Sequence, residues 1–108
     1  MSLATTAYTV RWPDWYDLRA ELEMTDKGFF PGPFVEFADG TTYELFFYDP
    51  VRLAQELDIE VKDGIPCIAE VNMVVVPEVT PAAIRAAIER LVQIGHFSHL
   101  KPVSATPA

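Results

Sequence analysis

Two histidines, His96 and His99, stand three residues apart in "VQIGHFSHLKP", and the single cysteine, Cys67, lies in "IPCIAEV". Imidazole and thiolate are zinc ligands, and a thiolate beside an imidazole is a nucleophile with its base. Neither assembly is complete in the sequence. A zinc site needs three or four ligands, and no second Cys or His pair with finger spacing supplies the remainder. Cys67 has apolar neighbours on an expected strand, where a free cysteine behaves as a small buried hydrophobe. His96 and His99 are therefore weak metal candidates, and no catalytic residue and no cofactor is assigned.

Other chemistries are poorly represented. "KGFFPGPF" is rich in glycine but fits neither phosphate-loop pattern. Acid pairs such as Glu21 with Glu23, or Glu56 with Asp58 and Glu60, have the composition for acid and base roles. In a chain carrying 16 acids they read as a solvated face. The aromatic residues stand out more, since eight of them fall between Phe29 and Tyr48. Most must be core in so small a chain. Phe29, Phe30 and Phe34, in and beside "GFFPGPF", are the candidates for an exposed patch that binds a partner or lines a small apolar pocket.

Charge narrows the partners. The net charge is -8, and residues 36–78 carry ten acids against two bases, Arg52 and Lys62. Nucleic acid is bound by Lys and Arg neutralising phosphates, so this surface repels it. A basic protein partner, or plain solubility, is what such a surface fits. With half its 108 residues hydrophobic and 22% charged, the chain has the composition of one folded domain. No stretch approaches the roughly 20 apolar residues of a membrane span, and the first residues lack the basic start and apolar run of an export signal. One unpaired cysteine fits a reducing compartment, so the expected location is cytoplasmic, with no membrane association.

The elements that position these residues follow from local signals. "AYTVRW" alternates as a strand does. "DWYDLRAELEM" fits a helix capped by Asp14 with Trp15, Leu18 and Leu22 on one face, although "LRAELEM" also alternates. "GFFPGPF" reads as a loop because of its prolines and glycines. Asp39-Gly40 predicts a two-residue hairpin turn that would pair Glu36 with Tyr43 and Phe34 with Leu45. The run "LFFY" that follows is apolar in both orientations, as in a strand covered on both faces by helix, loop or a second subunit. Asp49-Pro50 and Thr80-Pro81 are each a cap followed by a first-turn proline, and they start helices over about 50–58 and 81–94. "CIAEVNMVVVPEV" predicts one long buried strand or two short ones. Gly95 closes the last helix, which places His96 and His99 beyond it, off any shared helical face, while Phe97 and Leu100 fold back onto the core.

The sequence thus predicts a single α+β domain over 1–108. Its mixed or antiparallel sheet contains the Asp39-Gly40 hairpin, two main helices pack mainly on one face, and residues 101–108 form a frayed tail. If the strand over 41–48 and the strand near Val74 are neighbours joined through the 50s helix, they are parallel. The expected function is that of a non-catalytic interaction protein, acting through an acidic surface or through homodimerisation. The alternatives are an apolar-ligand protein with a pocket near Phe29 and Phe30 and, behind it, a metal binder or enzyme using His96, His99 and Cys67.

Overall fold

A computed structural model describes residues 7–103. Strands β1 (Tyr8–Arg11), β2 (Phe29–Phe37), β3 (Thr42–Tyr48) and β4 (Met73–Val75) form one sheet in the order β1-β2-β3-β4. The first two pairings are antiparallel and the third is parallel. Helix α1 (Leu18–Lys27) joins β1 to β2, and α2 (Pro50–Lys62) joins β3 to β4. Helix α3 (Pro81–Gln93) follows, and then a 3-10 turn over His96–His99. The α+β class is as the sequence predicts, and β3 and β4 are neighbours joined through the 50s helix, the condition under which the sequence makes them parallel.

Short-range caps set the helix starts. Asp49 accepts the Arg52 amide at 2.7 Å, and Thr80 accepts that of Ala83 at 3.0 Å. Proline stands next in both, where an amide would lack a partner anyway. In α1 the cap is Asp17, which accepts the Ala20 amide at 2.8 Å, and not the expected Asp14. Three residues later in the chain, the same carboxylate chemistry therefore starts a helix on a different phase. Met24, with Ala20 and Glu21 beside it, faces inward, while Trp15, Leu18 and Leu22, the face expected to be buried, are exposed.

Two expectations about the hairpin are corrected. The Phe37 amide donates to Thr41 O at 2.9 Å and the Gly40 amide to Phe37 O at 2.9 Å, which encloses Ala38, Asp39 and Gly40 in a three-residue loop. Gly40 takes φ 92°, the positive angle such a loop needs at its last residue. The extra residue moves the register by one, so that Glu36 pairs with Thr42 and Val35 with Tyr43. "GFFPGPF" is also not a loop: Gly28 closes α1, and from Phe29 onward the stretch is the first part of β2. Between Pro31 and Phe34 the strand carries one more residue than β3, a bulge that accommodates chain without ladder amides. β1 pairs only with Phe34–Phe37, so nothing on that side requires an amide from Pro31.

One face of the sheet carries the core. Leu45 and Phe47 of β3 and Val35 of β2 are fully buried against Met24 of α1 and Ile84 and Ile88 of α3. Phe97 completes it, with its ring 5.1 Å from those of Phe37 and Tyr43. The histidine turn thus owes its position to the phenylalanine inside it. β4 is only three residues long, so most of "CIAEVNMVVVPEV" is irregular chain, and Val71 and Val75 are exposed. Of the expected tail, Lys101 and Val103 are tied to the sheet, with the Val103 amide donating to Thr42 O at 2.7 Å. Residues 104–108 lie outside the described residues. Among the described residues no helix is long and apolar enough to cross a membrane.

Candidate interaction surface

Among the side chains that β3 turns away from the core, Phe46 and Tyr48 are half-buried and Glu44 is exposed. Pairing sets Phe29 beside Tyr48, Met73 beside Phe46, and Val75 beside Tyr48 on the same open face. The Phe29 and Tyr48 rings lie 4.8 Å apart, and those of Phe46 and Tyr48 6.2 Å apart. An apolar floor is the consequence, and helix α2 borders it. The Arg52 guanidinium lies 5.9 Å from the Phe29 ring and donates to Lys27 O at 3.0 Å, which ties the first turn of α2 to this side of the sheet.

What α2 turns inward is mostly charge. Its half-buried residues are Arg52, Leu53, Glu56 and Glu60, and none is fully buried. Leu57 and Val61 continue the row of Leu53 at four-residue spacing and are 40% and 53% exposed. The apolar stripe of the helix therefore leaves the body of the protein turn by turn. Arg52 pairs with Glu56 at 2.8 Å and Lys62 with Asp58 at 3.3 Å, which engages both bases of the acidic segment. Burial pushes the Tyr48 hydroxyl pKa up; Glu56, Glu70 and Glu60 add to the effect, and Arg52 opposes it. Three carboxylates thus lie near enough to Tyr48 to act on its charge.

At the Phe46 end the floor opens into a cleft of about 320 Å³, lined by Glu44, Phe46, Glu70, Val71 and the Lys101–Val103 segment. Asn72 builds its wall by donating to Glu44 O at 3.0 Å and to Lys101 O at 2.8 Å while accepting the Lys101 amide at 3.0 Å.

The aromatic residues singled out in the sequence separate. Phe29 belongs to the open face. Phe34 lies under the Arg11 guanidinium, 4.3 Å from its ring centre. Phe30 is 2% exposed and is core, its ring 5.6 Å from those of Trp12, Trp15 and Tyr16, which corrects its place in an exposed patch. It still forms the back of a cleft of about 360 Å³ with Trp15, Met24, Phe29 and Pro31, at the position expected for a ligand pocket. Across the mouth of that cleft Glu23 bridges Arg19 at 2.9 Å and Lys27 at 3.4 Å, and the hydrogen bond from Arg19 holds the Glu23 carboxyl below its ordinary pKa.

The metal and nucleophile candidates do not meet. Contrary to expectation, His96 and His99 do share a side of one turn, because residues three apart eclipse in a 3-10 helix, and their rings lie 5.9 Å apart. Cys67 is exposed on the chain between α2 and β4, not buried on a strand. Among the described residues no three His, Cys, Asp or Glu side chains are grouped to hold a metal. No known family model matches the chain, and neither a characterised protein nor a solved structure matches it. Sequence reasoning missed Glu60, Glu70 and Val61 as members of one surface; the only signal for them was the acidic run and the i, i+4 spacing from Leu53.

Proposed function

We propose that this chain is a non-catalytic interaction module of the cytoplasm that works through protein–protein contacts made by α2 and the open sheet face. The observation that carries the reading is a 13-residue helix with no buried residue and an exposed apolar stripe. A helix of that length is marginal in water, and most helical stability in proteins comes from packing an apolar face. Fully burying a Leu or Val stabilises by about 1.5–3 kcal/mol, so Leu57 and Val61 hold binding energy that the isolated domain leaves unused. The exposed, unpaired Cys67 supports a reducing compartment.

The test is affinity capture from the native host with the wild type and the double variant Leu57→Asp, Val61→Asp. A partner retained by the wild type and lost by a variant with unchanged circular dichroism and thermal unfolding supports the reading. Equal retention by both overturns the assignment to α2. A second reading, a small apolar ligand held near Phe29 and Phe30, draws on the 360 Å³ cleft. A co-purifying small molecule in native mass spectrometry, displaced by Trp15→Ala, is its signature.

A further inference from the structure

The charges around the open face are mostly acidic, with Arg52 and Lys101 among the bases near it, and not all of the acids are engaged. Glu56 is paired with Arg52, Asp58 with Lys62, and Asp49 caps α2. Among the described residues Glu44, Glu60 and Glu70 have no ion-pair partner, and each borders the aromatic floor or the cleft beside it. Carboxylates spread over an aromatic and aliphatic floor do not suit a compact metal ion. They suit a cation on a long apolar stem, which packs its methylenes on the rings and leaves its charge at the rim.

Resting on the reading just given, we infer that the partner is a basic amphipathic segment of another protein. It lays Lys or Arg stems across Phe46 and Tyr48, sets their charges against Glu44, Glu60 and Glu70, and covers Leu57 and Val61 with aliphatic side chains. A second copy of this chain fits the face poorly. A two-fold contact brings the same patch against itself, and here that would oppose carboxylates to carboxylates in a segment with ten acids and two bases. Lys101 is the one base lining the cleft at Phe46, so it opposes an incoming cation.

The probe is a fluorescein-labelled synthetic helix with leucines on one face and lysines on the other, titrated by anisotropy into the full chain. Two controls accompany it: the same peptide with Glu for Lys, and a scramble of equal composition. The lysine helix is expected to bind, the glutamate helix not to bind, and the scramble to bind at least about tenfold more weakly. Glu60→Gln with Glu70→Gln weakens the lysine helix by about tenfold, Leu57→Gln with Val61→Gln does likewise, and Lys101→Gln tightens it. These substitutions lie outside the core, and thermal unfolding of each variant verifies the fold.

Equal binding of helix and scramble, all of it lost at high salt, means diffuse attraction and overturns the inference. No binding of the lysine helix, together with a wild-type dimer in light scattering that Leu57→Asp dissolves, overturns the basic partner while keeping α2 as an interface. No binding and a monomer with no captured partner ends both readings.

Discussion

Gly28→Ala tests the joint between α1 and α2, which sets where the candidate surface begins. Gly28 closes α1 at φ 67°, and its carbonyl accepts the Asp49 amide at 2.9 Å. A methyl group on Gly28 would stand 2.7 Å from one Asp49 carboxylate oxygen and 2.8 Å from the other and from the carbon between them. That carboxylate caps α2. Alanine in the left-handed region costs about 1–2 kcal/mol, and a displaced cap costs about 0.5–2 kcal/mol more. The expected loss is about 1.5–4 kcal/mol, a drop in Tm on the order of 7–18 °C for a chain of this size. Urea unfolding of the wild type, Gly28→Ala, Asp49→Ala and the double variant measures it. Once Asp49 is alanine the methyl has no carboxylate to displace, so Gly28→Ala should then cost only the backbone component. The coupling in the cycle is about 1 kcal/mol. A Gly28→Ala variant within about 0.5 kcal/mol of the wild type refutes the strain argument. Equal costs in both backgrounds refute the link to the α2 cap.

Two further outcomes follow from polar contacts away from that joint. Burial, and then the 2.7 Å hydrogen bond to Glu21, push the Tyr16 pKa up to about 12. Above pH 10 an unfolded tyrosine releases a proton that the folded one still holds, so this contribution to stability is intact below pH 10 and is lost as pH rises towards 12. Urea unfolding across that window should fall more gently for Tyr16→Phe than for the wild type, and identical slopes would sink the assignment. Asn72→Ala removes three hydrogen bonds that fasten the Lys101–Val103 segment, at an expected cost of about 1–2 kcal/mol because water reaches the site. Hydrogen exchange should show the Val103 amide losing protection while α3 keeps its own; an unchanged Val103 amide would mean that Asn72 does not hold the segment.

The starts of α2 and α3 are legible in the sequence because a cap is a bargain within four residues: Asp49 with the Arg52 amide, Thr80 with that of Ala83. The parallel β3–β4 pair is legible for a related reason, since a strand, a helix and a strand leave few ways to return to the sheet. Asp39-Gly40 marks the turn but not its length. That length depends on the backbone bonds between Phe37 and Thr41, and one residue shifts the whole register. β2 was hidden because its prolines are tolerated only where β1 and the bulge leave their missing amides unneeded, a circumstance fixed by strands distant in sequence.

The candidate surface divides in the same way. "LFFY" announces a strand with two apolar faces, and the acidic run announces a charge of one sign. Which face is covered is another matter: Phe30 and Phe47 went to the core, while Phe29, Phe46 and Tyr48 line an open side. Periodicity shows that Leu53, Leu57 and Val61 share a stripe but not whether anything lies opposite it. The tertiary structure alone decided that α2 turns Arg52, Leu53, Glu56 and Glu60 inward and leaves Leu57 and Val61 to solvent, because burial is a property of what packs against a side chain and not of the side chain itself.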